Sequence, residues 1–264
     1  MSTNAQSDFL NVEVVDGVAT LTIDRPARKN AMTQQMWSDM ARIVDDLSSN
    51  SKIRVVILAG AGQDFCAGAD ISEFETLRGT AESARTYEGT NSAAFAAIRH
   101  CRIPTVAAIR GICFGGGFGL AAACDLRIAS STAMFSVPAA RLGLAYPVDA
   151  MVDIVSALGP QMAKYLAFSA ARLDAAAALD AGFVLEIVEP GGLDLRAQEL
   201  AQVIAHNAPM SVRASKASIG AVVSGLAEDI SRAGKLGDAT FESADYAEGR
   251  AAFREKRLPR FSGN

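Results

Sequence analysis

Two stretches of small residues carry most of the chemical promise of this sequence: GQDFCAGAD at Gly62–Asp70 and GICFGGGFGL at Gly111–Leu120. Each follows an apolar run of strand type and opens a helix. Small residues there let backbone approach backbone or ligand, and the first N–H groups of the helix point outward without intrahelical partners. Two such loops side by side can aim two N–H groups at one oxygen. Glycines also serve plain turns and close packing, so the loops admit both readings. No G-K-[ST] follows the glycines and no G-x-G-x-x-G with a ribose carboxylate occurs, which removes nucleoside triphosphate and Rossmann readings. His100 and His206 stand near expected helix ends and lack a partner acid or nucleophile at triad-like positions, so neither is assigned to catalysis. Asp70 and Asp125 read as caps or pairing groups. Cys66, Cys101, Cys113 and Cys124 show no C-x-x-C spacing and read as buried thiols rather than metal ligands or disulfides.

The elements that must hold these loops follow from patterning. Val12–Ile23 alternates around Asp16-Gly17, a pair that favours a primed hairpin turn, and predicts two antiparallel strands. Met36, Met40, Val44 and Leu47 recur at three- and four-residue intervals behind Thr33, which predicts a helix with Thr33 as its N-cap. Ile53–Gly60 and Thr105–Arg110 are short, apolar and β-branched, and a helical segment ending near Ile98 lies between them; that order predicts a parallel pair joined by a crossover. Asp125–Ser130 is a third such run, after a short helix that begins in the glycines. Beyond Pro147 the pattern is helical, broken only at Val184–Val188. The whole reads as one α/β core with a helical C-terminal extension.

Composition narrows the partners. Half of the 264 residues are hydrophobic, enough for a sizeable core, and 25 Lys and Arg against 29 Asp and Glu give a net charge of −4. That balance argues against nucleic acid as the main partner and requires any anionic ligand to be met by local basic residues and helix N-termini. No apolar run reaches the roughly 18 residues of a membrane span, and the start, MSTNAQSDFL, lacks a basic end and a hydrophobic stretch. The expectation is a soluble, cytoplasmic protein without a metal site.

Six segments in order resemble the crotonase superfamily, the enoyl-CoA hydratase/isomerase family: LTIDRPARKNAM, RVVILAGAGQDFCAGADISEF, IPTVAAIRGICFGGGFGLAAACDLRIAS, FSVPAARLGL, LDAAAALDAGFVLEIV and EGRAAFREKRLPRF. The resemblance runs from about Val12 to Phe261. It implies an α/β spiral of ββα units with a helical C-terminal trimerisation region, divided as an acyl-CoA-binding core over residues 1–195 and a helical region over 196–264. It further implies a homotrimer or dimer of trimers, and a coenzyme A thioester as substrate with no permanently bound cofactor. Members place the thioester carbonyl between two backbone N–H groups, which fall here on Ala69 and Gly116. An enolate oxygen needs such preorganised donors, each worth about 2.7 to 4 kcal/mol. The coenzyme A contacts implied are Lys29, Ala31, Ala67, Ala69, Asp70, Ile71, Gly115 and Gly116, with Phe253 and Lys256 near the C-terminus; the basic run Arg254–Arg260 reads equally as a solvated helix end.

The sequence departs from the hydratase pattern at the residues that handle water. Hydratases of the family use two glutamates to position one water and move its proton. The matching positions are Gly119, in GGGFGL, and Ala139, in VPAARLG. Neither can hold a water. The isomerase-type acid would fall on Pro147, whereas the decarboxylase-type tyrosine matches Tyr146 in GLAY. Tyr146 also reads as a packed loop residue, and Asp149 as an acid or base or as a first-turn residue of the next helix. Glu73 and Glu75 are further candidates, and Phe74, Leu77 and Phe95 are expected pocket walls. Addition of water, loss of CO2, double-bond isomerisation and acyl-CoA binding without turnover all remain open at this point.

Overall fold

A computed structural model describes residues 7–264; the reading of the first six residues lies outside it. Asp16 and Gly17 both take positive φ, 49° and 79°, as a type I′ turn requires. They close β1 (Leu10–Val15) onto β2 (Val18–Ile23), with Leu10 opposite Ile23. Helix α1 (Gln34–Ser49) starts at the expected cap, where the Thr33 side chain accepts from Met36 N, and buries Met36, Trp37, Met40, Ile43, Val44 and Leu47. Parallel strands β3 (Val55–Gly60), β4 (Thr105–Ile109), β6 (Leu126–Ser130) and β9 (Glu186–Val188) extend the sheet in the order β1-β2-β3-β4-β6-β9. The short α2 (Phe74–Leu77) and long α3 (Ala81–Arg99) make the crossover from β3 to β4.

All six residues of β3 are buried because the sheet is covered on both faces. Val56 and Leu58 join Trp37, Met40 and Phe95 in the main core, while Val55, Ile57 and Ala59 meet Leu193, Ala197 and Ala201 of α7 (Leu193–Ala205). The expected boundary between residues 195 and 196 runs through this helix, whose buried face belongs to the sheet.

A second sheet positions the glycine loop. It consists of β5 (Ile112–Phe114), β7 (Met134–Ser136) and β8 (Arg172–Asp174), with β5 and β7 parallel. Helix α4 (Gly116–Ala123) leaves β5 directly, and α6 (Ala175–Asp180) follows β8. Sequence patterning missed all three strands, each only three residues long. The helical stretch expected after Pro147, broken only at Val184–Val188, is corrected twice: β8 also interrupts it, and α5 (Val148–Ser169) turns at Gly159, φ 73°, ahead of Pro160. The C-terminal helices are α8 (Pro209–Ser224), α9 (Ala227–Thr240) and α10 (Ala244–Glu255). Their outer faces leave Ile219, Val222 and Ile230 exposed. Among the described residues no helix is long and apolar enough to cross a membrane, and no group of three or more His, Cys, Asp or Glu is placed to hold a metal ion.

Candidate active site

The two loops meet backbone to backbone. Cys66 N donates to Ile112 O (2.9 Å) and Phe114 N to Cys66 O (3.0 Å), which lays the first loop along β5. Gly68, at φ 96°, sits so close to the second loop that a Cβ there would stand 2.9 Å from Phe114 O and 3.0 Å from Gly116 N. Met32 N donates to Gly68 O and Asp70 N to Met32 O, both 2.8 Å. The intervening Ala69 N–H thus faces away from Met32 in the parallel pattern. Among the described residues neither the Ala69 N–H nor the Gly116 N–H, the first of α4, donates to a protein acceptor. Two adjacent unspent donors, one of them opening a helix, favour an oxygen carrying negative charge.

The residues expected to meet coenzyme A divide into two groups. Lys29, Ala31, Ala67, Asp70 and Ile71 come together: Ala67 N donates to Lys29 O (3.0 Å), and Arg25 Nη1 donates both to Ala31 O (2.9 Å) and to Asp70 Oδ2 (2.6 Å). Lys29 itself takes φ 52° at the end of a 3-10 turn. Burial alone would raise the Asp70 carboxyl, but hydrogen bonds from Ser72 and Arg25 outweigh it and hold the group below its ordinary range. Asp70 also caps the turn that follows, and Asp125 accepts from Thr105 and Lys216, so both fill the structural roles expected of them. Phe253 and Lys256 stand apart on and after α10; Phe253 is exposed, and Lys256 ends the helix at φ 55°. In the basic run, Arg257 is committed to Glu248 through two bonds of 2.6 and 2.8 Å.

Aromatic rings occupy the ground beside the glycines of α4. A Cβ on Gly116 would stand 2.7 Å from the Trp37 ring, and one on Gly119 would stand 2.7 Å from the Phe95 ring. Trp37 and Phe95 pack edge to face with centroids 5.7 Å apart. Gly119 therefore has no room for a longer side chain while Phe95 holds this position. Ala139 is half-buried in the 3-10 turn Pro138–Leu142.

Tyr146 arrives from the chain ahead of α5 and lies against the Gly119 backbone. Its hydroxyl is fully buried and has no hydrogen-bond partner among the described residues. Burial, followed by the neighbouring Cys113, Glu88 and Cys66, pushes its phenol well above the ordinary range. It keeps its proton and can only donate or accept a hydrogen bond. Asp149 is exposed on the first turn of α5, where its carbonyl accepts from Arg99 Nη1 (3.0 Å); the same nitrogen binds Asp153 Oδ2 at 2.7 Å. Burial raises the Asp153 carboxyl to about 6 against the lowering influence of Arg99. Glu73 accepts from Gln34 N (2.8 Å) and Tyr87 Oη (3.3 Å), a helix-capping role, and Glu75 is exposed. His100 and His206 end α3 and α7.

Sequence reasoning missed a polar group formed by Arg78, just after α2, with residues of α3. The Arg78 guanidinium lies over the Phe74 and Tyr87 rings, 4.3 Å from each centroid, pairs with Glu88, and is almost wholly buried. One turn further along α3, Asn91 is buried with its Oδ1 unpartnered, as is the Nε of Arg78. A buried polar group left unpaired costs about 1 to 3 kcal/mol. The available signal was Asn91 itself, a polar residue in register with Tyr87 and Phe95 on the buried stripe of the helix.

The family described as enoyl-CoA hydratase/isomerase matches residues 13–264. A short-chain-enoyl-CoA hydratase of Clostridium acetobutylicum is 35% identical over 91% of this chain and 92% of its own length. The mitochondrial enoyl-CoA hydratase domain-containing protein 2 of Bos taurus is 36% identical over 94% of this chain and 85% of its own. A crystal structure from Magnetospirillum magneticum, described as an enoyl-CoA hydratase/carnithine racemase, superposes with a TM-score of 0.92 at 33% identity, covering 98% of this chain and 97% of that one. With the sheet order, the joined loops and this agreement over nearly the full length, the chain belongs to the enoyl-CoA hydratase/isomerase family of the crotonase superfamily.

Proposed function

We propose that this acyl-CoA enzyme receives the thioester carbonyl oxygen between the N–H groups of Ala69 and Gly116 and stabilises the enolate formed at Cα. The observation that carries the reading is the pair of neighbouring, unspent backbone donors, one of them opening a helix. Such donors act on charge that develops during reaction, each worth about 100- to 1,000-fold in turnover. Lys29, Ala31, Ala67, Asp70 and Ile71, joined along the same edge, and Gly115 would lie against the coenzyme A portion. Phe253 and Lys256 would approach it from a neighbouring subunit of a trimer or dimer of trimers. The exposed apolar residues of α8 and α9 support that assembly.

Water addition by two glutamates is not available, since the matching positions are Gly119 and Ala139 and the first faces a packed ring. The buried, unpartnered hydroxyl of Tyr146 favours a second reading, decarboxylation of a malonyl-type thioester. In that step the bond from Cα to the carboxylate carbon breaks, its electron pair enters the enolate, CO2 leaves, and a proton then adds at Cα. Tyr146 would orient the departing carboxylate by hydrogen bonding, whereas Asp149 is the candidate proton carrier of the remaining alternative, double-bond isomerisation. Mass spectrometry of saturated, enoyl and malonyl-type CoA thioesters in deuterated water tests both readings. Deuterium at Cα or loss of CO2 is expected; inert thioesters with binding demonstrated would leave a non-catalytic acyl-CoA binder. A hydrogen bond to a charged group contributes about 1.5 to 3 kcal/mol, so Tyr146→Phe should slow CO2 loss about 10- to 100-fold. An unchanged rate would remove Tyr146 from the step.

A further inference from the structure

Six side chains among the described residues have a buried polar atom without a hydrogen-bond partner, and four of them, Trp37, Arg78, Asn91 and Tyr146, fall in the region around α3 and the start of α4. Buried polar groups are otherwise almost always satisfied, so such a concentration marks a place where something else supplies partners. Trp37 Nε1 has the Tyr87 hydroxyl as its neighbour. Arg78 Nε and Asn91 Oδ1 have none, and the Tyr146 hydroxyl has only the Gly119 backbone beside it. Tyr146 lies against Gly119, one turn of α4 beyond the donor Gly116, and Glu88 is among the charged groups nearest its hydroxyl. Glu88 in turn holds Arg78, and Asn91 stands between Tyr87 and Phe95 on the face of α3 that reaches Gly119. A turn of helix rises about 5.4 Å, the distance from a thioester carbonyl to substituents two or three carbons along its acyl chain.

We propose, resting on the acyl-CoA reading above, that Arg78, Asn91 and Tyr146 form a polar acyl pocket that selects acyl groups bearing an oxygen acceptor over plain hydrocarbon chains. Arg78 Nε and the protonated Tyr146 hydroxyl supply donors, and the Asn91 amide can turn either end to the ligand. The rings of Phe74 and Tyr87 hold the guanidinium in place, and Glu88 balances its charge. Recognition is therefore of acceptor oxygens, shared by a carboxylate and a ketone, rather than of net charge. A hydrocarbon chain would leave all three groups unpaired, which is what gives such a site its discrimination.

Calorimetric titration of the whole protein with butyryl-CoA, acetoacetyl-CoA, succinyl-CoA and free coenzyme A tests this. At least one oxygenated thioester is expected to bind about tenfold or more tighter than butyryl-CoA, as pairing of buried polar groups implies. Which of the two does so distinguishes ketone from carboxylate. Asn91→Leu, which keeps volume without the amide, should erase most of that preference; Arg78→Met should do likewise. Equal affinity of the three thioesters for the wild type, or a preference that survives Asn91→Leu, overturns the pocket. If no thioester and no coenzyme A binds, the acyl-CoA reading itself falls and takes the pocket with it.

Discussion

The proposed carbonyl end and the proposed acyl end of the site are built from different material. At the first, the groups offered are the backbone N–H of Ala69 and Gly116, held by contacts among Gly68, Phe114 and Cys66. At the second they are side chains, Arg78, Asn91 and Tyr146, set among the rings of Phe74, Tyr87 and Phe95. A backbone site depends on how closely two chains approach and tolerates no added atom. A side-chain site depends on residue identity, and the positions that the resemblance aligns with the two hydratase glutamates, Gly119 and Ala139, carry no carboxylate. The contrast teaches that a site made of backbone groups would survive changes of side chain that would redirect a site made of side chains.

Attacking the backbone end should produce the largest effect. Gly68→Ala forces a Cβ to 2.9 Å from Phe114 O at a φ of 96°. Parting the loops should cost about 100- to 1,000-fold in turnover, the worth of one oxyanion donor. Coenzyme A affinity should change far less, so kcat falls while KM holds in steady-state kinetics. Full activity in this variant would break the comparison.

A smaller effect is expected where the two ends touch. In an open helix Gly119→Ala would stabilise by about 0.8 to 1 kcal/mol. Here the added methyl would stand 2.7 Å from Phe95, and overpacking costs about 1 to 3 kcal/mol. The clash wins, so urea denaturation should show a net loss. Phe95→Leu should relieve it, giving a favourable coupling in a double-mutant cycle; additive effects would show that the ring does not confine this position.

The remaining effect is one of pH and belongs to the start of α5. Arg99 ties the first turn of α5 through the Asp149 carbonyl and the Asp153 carboxylate. Burial sets the Asp153 carboxyl at about 6, above the value of about 3.9 for an unfolded chain. Its protonated form is favoured by the fold, so this contribution is complete below about pH 4 and is lost as pH rises through about 6. Urea midpoints should show wild type losing stability relative to Asp153→Asn across that window. Parallel curves would exclude Asp153 as the titrating group.

Much of the scaffold was legible from patterning. The Asp16-Gly17 hairpin, the Thr33 cap, the strands around Val55–Gly60 and Thr105–Ile109 and the buried thiols appear as expected. Strands β5, β7 and β8 did not, since three residues hold no measurable period and these pair only because tertiary neighbours bring them together. The kink at Gly159-Pro160 was present in the letters but read as continuous helix. Within the site, glycine spacing marked the loops, because only residues without side chains permit such approach. The polar group beside α3 stayed hidden, since Arg78 lies between α2 and α3, outside the regular pattern, and Asn91 looks like one polar residue among small ones.

By itself, then, the order of apolar runs, caps and glycines determined the parallel sheet, its crossover and the two loops, since these follow from local sterics and from burial on both faces. Only the tertiary structure decided that Ala69 and Gly116 leave adjacent N–H groups unspent, that Phe95 closes the space beside Gly119, and that Arg78, Asn91 and Tyr146 share one region. Those facts join residues from the loop after β3 to the chain ahead of α5, and the free energy of a buried polar atom depends on which neighbours the fold brings to it.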